Sequence, residues 1–255
     1  MQNIRLEELT TVEIGRLVNH GWTTVIVPLG ATEQHGPALP LLVDSEHGWQ
    51  TALRAARKVG KTLVGPVVTI GCSSEHSAFP GTISLSLKTM RGVIHDVAES
   101  LARSGFTLVY FWIAHGGNNG ALQSVLPEIA AKWSGCKVVG LQNIGGYIAE
   151  TWEKAPMERG IAPEVSGSHA GEFETSIMLA ARPELVRMDE AEAGNPAPLE
   201  TVLEQMMTQG IHTVSANGVL GDQRGADGDR GSFYLDVLGD FLAKDLQREH
   251  AIDSN

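Results

Sequence analysis

Residues 23–44 read TTVIVPLGATEQHGPALPLLVD, and this stretch decides the fold. Its first seven residues are mostly β-branched or aliphatic, which is typical of a strand buried on both faces. The segment that follows carries Glu33, His35 and Asp44. In open α/β sheets, ligands bind beyond the carboxyl ends of the strands. The stretch therefore predicts a buried parallel strand that leads directly into a functional segment.

Outward from this stretch, strand-like and helix-like segments alternate along the chain. The further strands are predicted at residues 62–70, 107–113 and 137–141, and the helices at 6–18, 45–58, 88–104, 119–133 and 233–249. Residues 145–168 and 210–231 are rich in glycine and charge and are predicted to be loops. Alternating strands and helices indicate an α/β fold, with helices on both faces of a mostly parallel sheet. Residues 1–255 are expected to form a single domain.

Composition excludes several classes of function. The formal net charge of −11 opposes binding to nucleic acid, because phosphate contacts depend on clustered lysine and arginine. No window approaches a membrane span of about 18 to 20 apolar residues, and the first residues lack the apolar core of a signal peptide. We expect a cytoplasmic protein without a membrane contact. Cys72 and Cys136 are too few for a disulfide framework and are assigned no role.

The segment after the first strand contains three metal-binding residue types. Residues two apart in extended chain point the same way, so Glu33 and His35 can converge on one ion. Asp44 can return to the same point at the start of the next helix. Each residue also has an ordinary interpretation: Asp44 as a helix cap, Glu33 as a solvated charge and His35 as a surface residue.

Two later segments have similar chemistry. His115 ends the apolar strand TLVYFWI and precedes two glycines, which allow close approach of the backbone to a bound ion. The other segment, SHAGEFETS at residues 168–176, carries His169, Glu172 and Glu174 at a helix start. The two glutamates there also suit the helix dipole, whereas a histidine beside acidic ligands suits proton transfer.

The oxygen and nitrogen ligands, without sulfur, suit Zn²⁺, Mn²⁺ or Fe²⁺. The sequence lacks the G-x-S-x-G elbow, the P-loop, the G-x-G-x-x-G turn and H-E-x-x-H. The sequence therefore does not support assignment to the serine hydrolases, the nucleotide hydrolases or the dinucleotide oxidoreductases.

Taken together, several segments of the chain resemble the creatininase family. The resemblance is carried by GATEQHGPALPLLVD at residues 30–44, EHSAFPGTISL at 75–85, HGGN at 115–118 and HAGEFETSIML at 169–179, with a weaker match, GVLGD, at 218–222. It implies a three-layer αβα sandwich with a mostly parallel sheet. It also implies a two-metal hydrolase site and a homo-oligomer, usually a hexamer.

The resemblance assigns ligands residue by residue. It makes Glu33 and His115 ligands of one metal, His35 a ligand of the other, and Asp44 the bridge. Creatininase itself has a glutamate where this chain has Gly117, and we expect Glu172 to replace it. Three carboxylates and a bridging hydroxide would then balance two divalent cations. Glu174, at the same helix start, is the alternative to Glu172.

The activity that the resemblance implies is hydrolysis of a C–N amide bond by a metal-bridging hydroxide. We expect two divalent ions, zinc first and manganese or iron as alternatives, with His169 as proton donor and Glu172 also in a catalytic role. The expected substrate is a small amide: a cyclic amide, a formamide or a peptide-like compound, in an enzyme class outside the peptidases. Creatinine is not expected, because the aromatic positions of creatininase read as Gly116, Ile144 and Val165 here.

Two other functions remain open at this point. One is a non-catalytic family member that binds a metal or a small molecule. The other is a hydrolase of a lactone or a cyclic ketone.

Overall fold

The computed structural model describes residues 2–252. Four strands form its sheet: β1 (Thr24–Leu29), β2 (Thr62–Val64), β3 (Leu108–Ile113) and β4 (Lys137–Gly140). The α-helices are α1 (Thr11–Asn19), α2 (Val43–Val59), α3 (Leu87–Arg103), α4 (Asn119–Lys132), α5 (Ile144–Tyr147), α6 (Lys154–Glu158), α7 (Pro163–Ser166), α8 (Glu172–Ala181), α9 (Leu199–Gln209) and α10 (Gly228–Ile252).

The sheet is parallel throughout, with the strand order β2-β1-β3-β4. The two central strands pair from Thr24 opposite Leu108 to Leu29 opposite Ile113, and every residue in both is buried. Continuous apolar runs suit such strands, because helices cover both faces of a parallel sheet. The expected α/β fold with a parallel sheet is confirmed.

Helices flank the sheet in two groups. Helices α2, α8 and α10 pack against one another, whereas α3 packs against α4. Tyr110 of β3 reaches the first group, where its hydroxyl donates to Asp245 Oδ2 of α10 at 2.5 Å. Helix α10 is therefore attached both to the sheet and to α8, the helix that carries Glu172 and Glu174.

The structure corrects several predicted boundaries. Strand β2 ends at Val64 instead of continuing to residue 70, since Gly65 and Pro66 follow and proline cannot donate to a strand ladder. Helix α1 begins at Thr11 instead of residue 6, because Thr10 and Glu13 form a reciprocal capping box. Helix α10 begins at Gly228, five residues before the predicted start.

Residues 145–168, predicted to be a loop, are largely helical. They contain parts of α5 and all of α6 and α7, with a π-helical stretch at Ile148–Glu153. The buried residues Tyr147, Thr151 and Ala155 recur every four positions and form one inward face. Glycine and charged residues around these three positions made the helical spacing of the buried residues difficult to recognise from the sequence.

No helix within residues 2–252 is both long enough and apolar enough to cross a membrane.

Candidate metal centre

The segments that follow β1 and β3 meet at the carboxyl edge of the sheet. Asn118 joins them: its side-chain nitrogen donates to the Gly30 carbonyl at 2.9 Å, and its side-chain oxygen accepts from the Cys72 amide at 2.9 Å. The side chain is fully buried, so these bonds are shielded from water. The Asn118 side chain therefore holds these segments together.

Glu33, Asp44 and His115 form the first group of ligand-type side chains, which we call site A. His115 Nδ1 lies 3.3 Å from Glu33 Oε2 and 3.9 Å from Asp44 Oδ2. His115 Nε2 donates to the Cys72 carbonyl at 2.8 Å, which leaves Nδ1 as the unprotonated nitrogen of the neutral ring. Site A therefore presents an imidazole lone pair and two carboxylate oxygens.

His35, Asp44 and Glu174 form the second group, site B. His35 Nε2 lies 3.7 Å from both Asp44 Oδ1 and Glu174 Oε1. A backbone carbonyl again selects the tautomer, since His35 Nδ1 contacts the Glu33 carbonyl at 3.2 Å. Asp44 thus directs one carboxylate oxygen toward each site.

The two sites fit divalent cations. Their histidine nitrogens lie 3.3 to 3.9 Å from the facing carboxylate oxygens, and two ligands about 2.1 Å from one tetrahedral ion lie about 3.4 Å apart. Within residues 2–252, Glu33 Oε2, His35 Nε2 and Asp44 Oδ2 are buried without a hydrogen-bond partner. Unpartnered buried polar atoms are costly, and shared coordination of a cation would satisfy all three.

The electrostatics of the centre favour bound positive charge. Burial lowers the pKa of His115, but the nearby Glu33 carboxylate outweighs it and raises the pKa to about 10. Burial and the Glu33 charge raise the pKa of Asp44 to about 6. Carboxylates this close repel one another and attract cations, so the centre is built to accept a proton or a metal ion.

The structure corrects the expected placement of Glu172. Its Oε1 accepts from Arg230 Nε and Ser176 Oγ, both at 2.7 Å, and its Oε2 accepts from the Tyr234 hydroxyl at 3.1 Å. Residues two apart on a helix point about 200° apart, so only one of the two glutamates of α8 can face the centre. Glu174 faces His35, and Glu172 faces α10.

The structure also explains why position 117 supplies no ligand. A Cβ atom at Gly117 would lie 2.1 Å from the Cys72 carbonyl oxygen and 2.5 Å from His115 Nε2. Both distances are far below contact range. A glutamate therefore cannot occupy this position unless the His115 turn moves.

His169 lies beside the two sites and contacts Gln34. Its Nε2 donates to the Gln34 carbonyl at 2.9 Å, so its unprotonated Nδ1 is the nitrogen that faces Glu33, at 3.9 Å from Oε1. The His169 ring lies between those of His35 and His76, with centroid distances of 4.3 and 4.5 Å and tilts of 38° and 45°. His169 also forms a ligand-type group with Glu33 and His35.

The Gln34 side chain sets the tautomer of His76. Gln34 Oε1 accepts from the Gly36 amide, so the side-chain nitrogen is free to donate to His76 Nδ1 at 2.9 Å and to the Gly218 carbonyl at 3.3 Å. The separation of 3.0 Å between this nitrogen and His169 Nε2 then joins two donors and is not a hydrogen bond. His76 Nε2 consequently carries the proton and lies 3.5 Å from Glu33 Oε1.

No feature of the sequence indicated that Arg230 contacts Glu172. Arg230 lies in residues 210–231, the segment predicted to be a loop, and nothing in that composition links it to the HAGE segment.

A separate group of ligand-type residues lies on α3. It is formed by His95, Asp96 and Glu99 and is partly exposed. Arg103 and Lys132 both contact the Glu99 carboxylate, so this group is a surface ion-pair network.

Comparisons with known proteins identify the family of the chain. The family model described as "Creatininase: Creatinine amidohydrolase" matches residues 7–246. The mycofactocin precursor peptide peptidase of Mycobacterium ulcerans (strain Agy99) is 32% identical over 237 residues, which cover 88% of this chain and 84% of the relative. The creatinine amidohydrolase of Pseudomonas putida is 27% identical over 260 residues, which cover 97% and 98%. A solved structure of a mutant creatininase, Zn-Zn type, matches with a TM-score of 0.80 and 27% identity over 98% of this chain and 99% of that one.

Proposed function

Because this chain belongs to the creatininase family, we propose that it is an amidohydrolase that depends on two divalent cations, one at site A and one at site B. The observation that carries the proposal is the position of Asp44, which is buried and directs one oxygen to each site. A carboxylate between two groups of ligands is the arrangement expected of a bridging ligand in a two-metal site.

The proposed ligands are Glu33, Asp44 and His115 at site A, and His35, Asp44 and Glu174 at site B. Glu174 replaces Glu172, and the charge balance is unchanged because the centre still has three carboxylates. Zn²⁺ is the first choice for this donor set and Mn²⁺ the second. When bound, such ions activate water as a nucleophile and polarise the carbonyl oxygen of the scissile bond.

His169 is proposed to carry the proton. Its Nδ1 faces the centre and can accept a proton from the attacking water, then donate it to the leaving nitrogen. The Gln34 carbonyl accepts from Nε2 throughout, which stabilises the charged ring and holds it in place. His76 donates from Nε2 toward Glu33 and orients that carboxylate.

The substrate class is an amide, and it includes peptide-like amides. The mycobacterial relatives are named as peptidases of a precursor peptide, so we do not restrict this chain to bonds outside peptides. The resemblance matches the aromatic residues that creatininase uses to Gly116, Ile144 and Val165 here, which disfavours creatinine itself. The hexamer implied by the resemblance stays a prediction, and light scattering would test it.

Metal content per chain tests the proposal directly. Protein purified without chelator or added metal is expected to contain about two ions by elemental analysis, and Glu174→Gln about one. Chelation should abolish hydrolysis across a panel of creatinine, N-formyl amines and short peptides, and added Zn²⁺ or Mn²⁺ should restore it. A native chain that takes up no metal even after supplementation would overturn the two-metal enzyme and favour a binding protein.

Replacing His169 with Gln is expected to lower turnover about 10²- to 10⁴-fold while both metal ions remain bound, since general acid–base catalysis contributes about that much. Turnover of a panel substrate and elemental analysis of the same sample check this. His95→Gln, on α3 away from the centre, is the matched control and should leave both values unchanged. Loss of an ion from the His169 variant would instead identify His169 as a ligand.

A further inference from the structure

The start of α8 carries two buried carboxylates that point in opposite directions. Glu174 faces site B, whereas Glu172 faces α10 and is fully buried there. We propose that the ion pair between Glu172 and Arg230 positions Glu174 for site B, an inference that rests on the proposed two-metal function. Glu172 then acts on the metal through the helix that it anchors, and it does not touch the metal.

Every acceptor position that Glu172 uses is directed at α10 or at its own helix. Arg230 Nε donates to Oε1 at 2.7 Å, and the Tyr234 hydroxyl donates to Oε2 at 3.1 Å. Arg230 also donates to the Gly225 carbonyl, which ties the guanidinium to the turn before α10. A buried carboxylate with these charge-assisted bonds holds its helix in one position.

The two helices are also in direct backbone contact beside this ion pair. A Cβ atom at Gly231 would lie 1.8 Å from the Ser176 carbonyl oxygen, so the backbones approach closely. The Ser176 hydroxyl donates to Glu172 and accepts from the Asp227 amide at 2.9 Å. The first turn of α10 is therefore fitted to α8 at three neighbouring points: the ion pair, the hydroxyl bridge and the glycine contact.

On the opposite side of α8, the backbone holds the Glu174 carboxylate. Ala170 has a φ of 55°, in the left-handed region that few residues other than glycine adopt, and its amide donates to Glu174 Oε2 at 2.5 Å. That bond leaves Oε1 to face His35 at 3.7 Å. Glu174 can reach site B only while α8 keeps its position, because a small displacement of the helix would carry Oε1 away from the site.

This role predicts a loss confined to one site. The ligands of site A lie after β1, after β3 and on α2, so none of them lies on α8. Glu172→Gln and Arg230→Met are each expected to weaken metal binding at site B about 10- to 100-fold, the usual effect of removing a partner that orients a ligand. A general loss of stability would not discriminate between the sites.

The experiment is titration of the metal-free full chain with Zn²⁺ against a chromophoric chelator, with Co²⁺ absorption as a second readout of site B geometry. The variants are Glu172→Gln, Arg230→Met, Arg230→Lys and the double variant Glu172→Gln/Arg230→Met. Arg54→Met is the matched control, because it removes another ion pair to α10, Arg54 to Asp236 at 3.1 Å, that does not involve α8. Retention of one tightly bound ion shows that a variant is folded.

If Glu172 positions Glu174, the double variant should bind metal at site B no more weakly than either single variant. Arg230→Lys should have a higher affinity there than Arg230→Met, and the Co²⁺ spectrum of site B should change in the variants. If Glu172 were itself a ligand, Arg230→Met would leave site B as tight as in the native chain or tighter. Native affinity at both sites in all four variants would overturn the inference and leave the two-metal proposal standing. A native chain without metal would overturn the two-metal proposal instead.

Discussion

Asp44→Asn is expected to empty both metal sites, whereas substitution of any other proposed ligand should empty one. The side chain has one oxygen toward His35 and the other toward His115, and both lie in the protein interior. An amide has one oxygen and one nitrogen that cannot ligate, and it removes the charge that both ions share. The loss of affinity at each site should exceed the 10- to 100-fold effect that is typical for a partner of a ligand.

Elemental analysis and hydrolysis of a panel substrate would check this prediction, with metal content falling from about two ions toward none and hydrolysis falling to background. Asp96→Asn is the matched control, because Asp96 is the exposed carboxylate of the surface group on α3 and should bind no ion tightly. If Asp44→Asn keeps one ion at native affinity, Asp44 serves a single site and the shared carboxylate is refuted.

Gly117→Ala is expected to destabilise the fold and to lower the metal affinity of site A, even though it adds only one methyl group. The methyl carbon would overlap the Cys72 carbonyl and the ring of His115, so one of these has to move. Overpacking of a fitted interior typically costs about 1 to 3 kcal/mol. The same movement would break the bond from His115 Nε2 to the Cys72 carbonyl, which selects the nitrogen that faces site A.

Urea denaturation and Zn²⁺ titration would measure the two effects. Gly116→Ala is the control at the neighbouring position, where the added methyl group would meet no described atom within 4 Å, and its effect should stay within about 0.5 kcal/mol. Native stability and native metal affinity in the Gly117 variant would show that the turn adapts. In that case, steric exclusion would not explain the absence of a glutamate there.

The difference between Glu172 and Glu174 shows where sequence reasoning stopped. Both residues follow His169 within a few positions, and either one balances the charge of two divalent cations. Which carboxylate faces the centre depends on where α8 begins and on how the helix is rotated about its axis. Helix boundaries depend on local capping and on tertiary packing, so their exact position is the least secure part of a prediction from one sequence.

The sequence by itself determined the α/β order, the parallel sheet, the family, and the segments that carry Glu33, His35, Asp44 and His115. These follow from local causes: buried strands are continuous apolar runs, and the carboxyl ends of parallel strands meet at one edge. Only the tertiary structure decided that Glu174 faces site B and that Arg230 holds Glu172, which lies 58 residues earlier in the chain. Such pairings depend on how α8 and α10 pack, and helix packing is set by the shape of the whole interior instead of by neighbouring residues.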